Sequence, residues 1–295
     1  MKDLRGRVAV VTGGASGIGR AMAAAMIAEG MQVLIADIES DRLHRTAAEI
    51  GAAAQVVDVT RADQVAALAD GVMQRFGRVD VVCNNAGIGP MAPLEQLTQA
   101  DWKWMLDVNL WGVIHGISSF LPLLQANPDG GHVVNTASMA ALMPVPGLVA
   151  YCASKYAVLG LSEAMAEDLA ASGSAVGVSI LCPGPVQTDL GTSTRNRPAN
   201  LAGALKDVKL EDSVQFQDQP VNWLGAEATA ALVLRAIRNN ERYVITHPDM
   251  IDPVLARHRA IEAAFAQEAA RRAAGESASA PDKPRNEPHN EQGER

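Results

Sequence analysis

The stretch that decides the fold lies near the N-terminus, where Val8-Ala9-Val10-Val11 runs directly into Thr12-Gly13-Gly14-Ala15-Ser16-Gly17-Ile18-Gly19. Four consecutive apolar residues, with no alternation of polar and apolar positions, are typical of a strand buried on both faces of a parallel sheet. The next segment, Arg20-Ala21-Met22-Ala23-Ala24, is rich in good helix formers. The sequence here therefore predicts a strand, a glycine-rich turn and a helix, in that order.

The same alternation continues along most of the chain and predicts an α/β fold. Short β-branched runs alternate with longer Ala-rich stretches of helical period, which is typical of a parallel sheet covered by helices on both faces. We predict a doubly wound, seven-stranded parallel sheet. Its strands are expected at 8–11, 32–36, 54–57, 79–83, 132–136, 176–181 and 243–246, and its helices near 17–29, 40–50, 61–76, 99–125, 150–172 and 226–239.

Two further segments are predicted after residue 250. Residues 251–274 are expected to form a C-terminal helical extension, because Val254, Leu255, Ile261 and Phe265 can form one apolar stripe. Residues 275–295 contain three prolines, mixed charges and almost no large apolar residue, and this composition predicts a disordered tail.

Composition and charge exclude several classes of function. The chain has 295 residues, 48% of them apolar, which is enough to bury a sizeable core without disulfides or a structural metal. Lys and Arg number 25 and Asp and Glu 33, so a net charge of -8 opposes binding to nucleic acid or to an anionic membrane. No apolar run approaches the roughly 18 residues of a membrane helix. The three scattered cysteines favour the reducing cytoplasm, and the six isolated histidines predict no metal site.

The glycine-rich turn predicts a nucleotide site. Glycines let a backbone approach a pyrophosphate, whose charge is then held by unpaired N–H groups at the helix N-terminus. Asp37 follows Gly19 by 18 residues, at the end of the second predicted strand. A carboxylate there accepts hydrogen bonds from the adenosine ribose of NAD but repels the 2′-phosphate of NADP. No basic residue stands at Ser16 or Ile38, so NAD is the predicted cofactor, and Arg42 is interpreted as a solvated surface charge.

A second chemical signal is Tyr151-Cys152-Ala153-Ser154-Lys155, which places a phenol and an ammonium four residues apart on one face of a predicted helix. A tyrosine with a pKa of ~10 is a poor base near neutral pH. A fixed neighbouring cation lowers that pKa by stabilising the phenolate. The spacing alone is common in helices, but after a dinucleotide-binding turn it predicts a tyrosine that transfers protons.

Together these residues resemble the short-chain dehydrogenase/reductase family over about residues 5–250. The glycine spacing matches the shorter, single-domain branch, because the extended branch has a glycine where Ser16 stands. The resemblance implies a Rossmann-type fold, with residues 1–250 forming one NAD-binding and catalytic domain. The motifs that carry it are Thr12-Gly13-x-x-x-Gly17-x-Gly19, Val57-Asp58-Val59, Asn84-Asn85-Ala86-Gly87, Asn109, Ser138, Tyr151-x-x-x-Lys155 and Pro183-Gly184-Pro185-Val186-Gln187-Thr188.

The resemblance also implies a role for each matched residue. Tyr151 is expected to exchange a proton with the substrate oxygen, and Ser138 to hydrogen-bond that oxygen. Lys155 is expected to lower the pKa of Tyr151 and to hold the nicotinamide ribose, and Asn109 to hold a water that connects Lys155 to solvent. The residues expected to contact NAD are Gly13, Ser16, Gly17, Ile18, Gly19, Asp37, Asp58, Val59, Asn85, Ala86, Gly87, Tyr151, Lys155, Pro183, Gly184, Val186 and Thr188.

The substrate is less closely defined by the sequence. The polar, irregular segment between Asp189 and Asn222 is expected to form a lid, in which Arg195 and Arg197 either bind a substrate carboxylate or are solvated charges. Residues 193–198 and the ending 243–248 also resemble a bacterial subgroup of dehydrogenases of aryl and ring secondary alcohols, among them lignin-derived Cα alcohols. Five apolar residues suit a bulky hydrophobic substrate or serve packing: Met139, Leu142, Met143, Val145 and Leu148.

The predicted function is therefore the NAD-dependent interconversion of a secondary alcohol and its ketone. The alternative is a non-catalytic dinucleotide-binding redox sensor, which has no need of the four residues Asn109, Ser138, Tyr151 and Lys155. Helices 99–125 and 150–172 carry more apolar positions than one sheet face covers, and the resemblance implies that such helices pair between subunits, so a homo-oligomer, in the form of a tetramer, is expected. Trp102, Trp104 and Trp111 are interpreted as packing residues of the first of these helices.

Overall fold

The computed structural model describes residues 1–209 and 222–274. Seven parallel strands form one sheet, as predicted, and their order across the sheet is β3-β2-β1-β4-β5-β6-β7. The chain winds outward in one direction after β1 and in the other after β4, so a crevice opens at the carboxyl ends of these two strands. The strands are β1 Val8–Thr12, β2 Gln32–Asp37, β3 Ala53–Val56, β4 Val81–Asn84, β5 His132–Thr136, β6 Gly177–Cys182 and β7 Tyr243–Ile245.

Helices cover both faces of the sheet. The helices are α1 Gly17–Ala28, α2 Ser40–Ile50, α3 Ala62–Phe76, α4 Gln99–Leu106, α5 Gly112–Ala126, α6 Val149–Ala171, α7 Ala226–Asn239 and α8 Ile251–Ala273. One apolar layer joins the sheet to α1, α2 and α7, and the other joins it to α3, α5 and α6.

The residues of β1 show how the strands serve both layers. Ala9 and Val11 belong to the layer under α1 and α7, whereas Val8 and Val10 belong to the layer under α3 and α5. Successive side chains of a strand point to opposite faces. An uninterrupted apolar run is therefore what a central strand requires when helices cover both faces of the sheet.

The long helix predicted over 99–125 is two helices joined by a π turn over Asp107–Trp111. Its N-terminus is fixed by a capping box, in which Thr98 and Asp101 exchange hydrogen bonds with each other's backbone N–H. The π turn brings Asn109 into the interior, where it is completely buried. A π turn adds one residue to a helix that is otherwise regular, so the apolar period of the segment does not reveal it.

Several strand ends differ from the sequence prediction by one or two residues. The fourth strand begins at Val81 rather than Val79, because the Asp80 carboxylate there accepts the Val8 N–H at 2.9 Å and pairs with Arg7 and Arg78. The seventh strand ends at Ile245, before Thr246.

The chain divides into two compact units, the first of which is Met1–Met250 and the second of which begins at Ile251. In the second unit the described residues form α8, whose Phe265 side chain is 76% exposed. The predicted tail 275–295 and residues 210–221 of the expected lid lie outside the described residues. None of the described helices combines the length and the apolar character that a membrane crossing requires.

Candidate active site

The glycine-rich turn after β1 lies at the mouth of the crevice. Gly13 and Gly17 adopt left-handed backbone conformations, with φ of 66° and 52°, which residues with a Cβ rarely adopt. A Cβ on Gly13 would also lie 2.8 Å from the α-carbon of Ala86, and one on Gly17 would lie 3.0 Å from the Thr188 methyl group. These glycines therefore let the turn lie directly against two loops that carry other predicted cofactor residues.

Thr12, at the end of β1, fixes the loop after β4 in this position. Its hydroxyl oxygen accepts the backbone N–H of Asn85 at 3.0 Å and of Ala86 at 3.1 Å, and its carbonyl accepts the Asn85 side-chain amide at 3.1 Å. Thr12 was recognised in the sequence only as part of a motif, without a role of its own. A threonine immediately before the glycines could have indicated this role, because its hydroxyl oxygen can accept hydrogen bonds from backbone N–H groups at the end of a neighbouring strand.

Asp37 lies at the carboxyl end of β2, beside the turn. One carboxylate oxygen accepts the Ala15 N–H and the other accepts the Glu39 N–H, both at 3.1 Å. Each oxygen retains lone-pair capacity for ribose hydroxyls. Ser16 stands at the N-terminus of α1, and it makes no side-chain cap to the helix. Together, the glycine cradle, the open helix N-terminus and the carboxylate fit a dinucleotide.

Asp58 and Val59 follow β3 on the same side of the sheet. Asp58 accepts hydrogen bonds from the Thr60 N–H at 2.9 Å and hydroxyl at 2.8 Å, and the Val59 carbonyl bonds to His115 Nδ1 at 2.9 Å. These contacts hold the segment in place. The expected contact of Asp58 and Val59 with NAD stays a prediction.

The predicted catalytic side chains converge at the carboxyl ends of β4 and β5. Tyr151 and Lys155 lie on one face of α6, with the Lys155 Nζ 5.6 Å from the centre of the Tyr151 ring. Ser138 follows β5, lies near the Tyr151 hydroxyl and accepts the Ala140 N–H at 3.1 Å. Tyr151 and Lys155 are both buried, and the Lys155 ammonium donates to the Thr136 carbonyl at 2.9 Å.

Burial dominates the acid–base properties of this pair. Burial raises the pKa of Tyr151 to about 12, although the nearby Ser138 hydroxyl acts in the opposite direction. Burial also lowers the pKa of Lys155 to about 8. The prediction of a Tyr151 pKa below its ordinary value is therefore wrong for this structure. Desolvation of the phenolate outweighs the lysine, whose Nζ donates to a backbone carbonyl instead.

Asn109 connects the π turn to both sides of the site. Its Oδ1 accepts the Ile88 N–H at 2.8 Å, while its Nδ2 donates to the Ile88 carbonyl at 3.0 Å and to Ser154 Oγ at 3.1 Å. Ser154 in turn donates to the Tyr151 carbonyl at 2.7 Å. The side-chain amide is thus occupied by protein groups, and the expected water at Asn109 stays a prediction. Ser154, a buried residue that lies between Tyr151 and Lys155 in the sequence, was not predicted to take part in the site.

The loop after β6 closes the site from the other side. The Pro183 carbonyl accepts the Met139 N–H at 2.9 Å and the Ser138 hydroxyl at 3.4 Å, so this loop touches the Ser138 segment directly. Val186 is buried and forms a bridge with Leu224. Thr188 reaches the glycine-rich turn at Gly17. The structure therefore brings the glycine-rich turn, the loop after β4 and the loop after β6 into one crevice.

Apolar side chains surround Tyr151. Val145 and Leu148, two of the five predicted apolar residues, pack against the cluster that contains it. The segment after β6 contributes Leu190 and Leu205. The buried members are Ile88, Ala92, Trp104, Met105, Ala140, Ala150, Tyr151 and Leu205. Of the tryptophans, Trp104 is buried, Trp102 is partly buried and Trp111 is 49% exposed.

The two loop arginines have partners within the protein. Arg195 pairs with Glu39 at 2.6 Å. Arg197 pairs with the buried Asp101 at 2.7 Å, and its guanidinium lies 5.0 Å from the centre of the Trp104 ring. Arg197, whose side chain is 10% exposed, is therefore not a solvated charge, whereas Arg195 is 38% exposed and forms its ion pair at the surface. Arg42, interpreted as solvated, pairs with Asp189 at 2.7 Å.

A family model described as short chain dehydrogenase matches residues 7–199. The chain belongs to this family. The crystal structure of a short-chain dehydrogenase/reductase from Burkholderia phymatum in complex with NAD superposes with a TM-score of 0.82 and 38% identity, covering 89% of this chain and 96% of that one. Membership of the family and this neighbour support NAD(H) as the cofactor of the crevice.

Two further proteins are similar to this chain. The apo form of LigO from Sphingobium sp. strain SYK-6 has a TM-score of 0.74 and 32% identity, with 96% of this chain and 100% of that chain covered. This neighbour is consistent with the weaker resemblance to the subgroup of aryl and ring alcohol dehydrogenases. The 1-deoxy-11-beta-hydroxypentalenate dehydrogenase of Streptomyces exfoliatus is 41% identical over 194 residues, 63% of this chain and 70% of that protein.

Proposed function

We propose that the protein interconverts a secondary alcohol and its ketone with NAD(H), and that Tyr151 is the general acid/base. The observation that carries this proposal is the position of Tyr151. It lies near the Ser138 hydroxyl and beside Lys155, and an apolar cluster surrounds it at the mouth of a glycine-lined crevice. A hydroxyl in this setting exchanges protons with a substrate oxygen while water is excluded.

Each catalytic side chain has a distinct task in this proposal. NAD, when bound, supplies the acceptor for the hydride that leaves the alcohol carbon. Ser138 donates a hydrogen bond to the substrate oxygen and fixes its distance from Tyr151. Tyr151 takes the hydroxyl proton during oxidation and returns a proton to the carbonyl oxygen during reduction. Lys155 stabilises the phenolate by its charge, and Asn109 holds the backbone at Ile88 beside them.

The proposed substrate is bulky, hydrophobic or aromatic, and uncharged. The apolar cluster around Tyr151 favours an apolar ligand because it buries ligand surface without leaving polar groups unpaired. Arg195 and Arg197 are held in ion pairs with Glu39 and Asp101, so a substrate carboxylate would have to break these pairs. The similar hydroxypentalenate dehydrogenase supports a hydroxyl group as the reacting function.

Compartment and assembly belong to the same proposal. Cys83, Cys152 and Cys182 are free thiols, which supports the reducing cytoplasm. We propose a homotetramer, supported by exposed apolar side chains such as Trp111 and Val149. A redox sensor without turnover would have no use for the arrangement around Tyr151.

The test is a screen of secondary alcohols with NAD, in which growth of the reduced-nicotinamide absorbance reports turnover. Aryl and ring secondary alcohols are expected to react faster than short hydroxy acids. Tyr151→Phe, which removes only the proton-transferring oxygen, serves as the matched control. Binding of NAD without turnover of any alcohol in the panel would favour the sensor.

A further inference from the structure

Thr246 and His247 form a buried pair immediately after β7, outside every residue assigned above to the chemistry. Thr246 is 8% exposed and His247 2% exposed. Both face the Pro183-Gly184 turn, since a Cβ on Gly184 would lie 2.5 Å from His247 Nδ1. The ring therefore packs directly on the one backbone position of the turn that has no side chain.

The hydrogen bonds of the pair have one consistent direction in a neutral ring. The Asn222 carbonyl can only accept, so His247 Nε2 donates to it at 2.8 Å. His247 Nδ1 then accepts the Thr246 hydroxyl proton at 2.7 Å, and the Thr246 oxygen accepts the Gly184 N–H at 2.9 Å. A continuous chain of hydrogen bonds thus runs from Asn222 to Gly184.

This chain of hydrogen bonds ends behind two parts of the site. Gly184 follows Pro183, whose carbonyl accepts the Ser138 hydroxyl at 3.4 Å and the Met139 N–H at 2.9 Å. Gly184 also precedes Pro185, whose carbonyl accepts the Leu224 N–H at 3.1 Å. A shift of Gly184 would therefore move the segment toward Val186 and would disturb Ser138.

We propose that Thr246 and His247 are positioning residues for the nicotinamide half of the bound dinucleotide, acting through the Pro183–Val186 turn. The inference rests on the proposed function, in which hydride transfer requires the nicotinamide to lie beside Ser138 and Tyr151, and the Pro183–Val186 turn touches Ser138 directly. Without the Thr246 hydroxyl, the half-buried Gly184 N–H and the buried His247 Nδ1 lose their partner, and a buried group left unpaired is costly. Asp37, which is expected to bind the adenosine ribose, instead accepts the Ala15 N–H of the glycine-rich turn and does not bond to the Thr246–Gly184 chain.

The experiment compares binding of NAD with binding of ADP-ribose, which lacks the nicotinamide, by titration calorimetry. Thr246→Val removes the hydroxyl at nearly constant volume, and Thr246→Ser retains it as the matched control. We expect Thr246→Val to weaken NAD binding by about tenfold, to leave ADP-ribose binding within about twofold of the wild type, and Thr246→Ser to restore NAD binding.

Unchanged ADP-ribose binding also shows that the variant is folded. Equal weakening of both ligands, or of neither, would overturn the proposal, because a merely structural role does not separate the two halves of the dinucleotide. If Thr246→Val does not fold, the same split is expected in His247→Gln, whose amide still reaches the Asn222 carbonyl but offers no acceptor at the Nδ1 position. Neither ligand requires turnover, so absence of alcohol oxidation would count against the proposed function and not against this inference.

Discussion

Tyr151 holds its proton more tightly in this protein than a free tyrosine does, because burial disfavours the phenolate and raises its pKa to about 12. In the proposed function, alcohol oxidation needs the deprotonated form of Tyr151 as the base. We therefore expect the rate constant of the oxidation step to rise by about tenfold per pH unit up to about pH 8, where Lys155 begins to lose the charge that stabilises the phenolate. Ketone reduction needs the protonated form and should stay flat over the same range. Stopped-flow absorbance in both directions measures this difference.

The control for that profile is Tyr151→Phe, which should lose about 10²- to 10⁴-fold in turnover and retain NADH affinity. An oxidation rate that already reaches its plateau near neutral pH would contradict the proposed state of Tyr151. It would mean that the charge of Lys155 outweighs burial, as the sequence alone suggested.

We expect the choice between NAD and NADP to depend on two single residues, Asp37 and Ile38. Asp37 places a carboxylate beside the turn, and Ile38 is 45% exposed, so an arginine at 38 has room. Asp37→Ala combined with Ile38→Arg should shift the ratio of kcat/KM for NAD and NADP toward NADP by about tenfold or more, by removing repulsion and adding a partner for the 2′-phosphate. Asp37→Ala alone separates the two contributions. A wild-type preference for NADP would show that the role of Asp37 is assigned wrongly.

At the scale of elements, Asp101 joins the start of α4 to the segment after β6. Its carboxylate accepts the backbone N–H of Thr98 at 2.9 Å, of Ala204 at 2.9 Å and of Leu205 at 3.1 Å, and pairs with Arg197. Burial opposes its charge, but these hydrogen bonds more than offset it and hold the pKa of Asp101 well below its usual value.

Asp101→Asn should therefore destabilise the protein by about 3 kcal/mol, since it leaves a buried guanidinium without its counter-ion. Because Leu205 belongs to the apolar cluster around Tyr151, KM for the alcohol should rise more than KM for NAD. The matched control is Asp63→Asn, at a carboxylate that is 68% exposed and whose ion pair is worth less than about 1 kcal/mol. Urea unfolding and steady-state kinetics measure the two effects, and equal stability of both variants would contradict this account.

The elements also show how far sequence reasoning reaches. The apolar run Val8–Val11 predicts β1, because a strand with helices on both sides is apolar on both faces. The glycine spacing predicts the turn and the nucleotide crevice, because this part of the site is built from residues that are adjacent in the sequence. The π turn at Asn109 was not predicted, because it changes one turn of a helix and not its apolar period. The contact of Thr246 with Gly184 was not predicted either, since 62 residues separate them and only the pairing of β6 with β7 brings them together.

At the scale of the whole molecule, the buried His132 connects stability to pH. Burial lowers its pKa to about 3, and its Nε2 lies 2.8 Å from Ser179 Oγ on the neighbouring strand. Between an unfolded-state pKa of ~6.5 and about 3, the unfolded chain binds the proton and the folded chain does not. The free energy of unfolding should therefore fall by about 1 kcal/mol per pH unit as pH drops below ~6.5.

His132→Gln should flatten this acid dependence between about pH 6 and pH 5, above the range where carboxylates titrate. His44→Gln, at an exposed histidine, is the matched control and should leave the slope unchanged. Urea unfolding at a series of pH values gives the slope directly. A slope that is the same in His132→Gln and in the wild type would show that His132 is not the titrating group.

The number of subunits can be tested through the exposed apolar residues on the surface of the chain. Trp111 and Val149 are 49% and 37% exposed at the starts of α5 and α6, where an apolar side chain gains free energy by being buried against another subunit. We expect light scattering to give the mass of four chains for the wild type, and Trp111→Glu to reduce it, because a charge cannot be buried there unpaired. Leu94→Glu, at a leucine that is 58% exposed in another part of the unit, should keep the wild-type mass.

A chain that ends at Gly275 should still assemble from four subunits and keep its activity, since the sequence beyond it has almost no large apolar residue to bury. A monomeric wild type would contradict the proposed tetramer, and loss of assembly in the shortened chain would show that the C-terminal residues contribute to an interface.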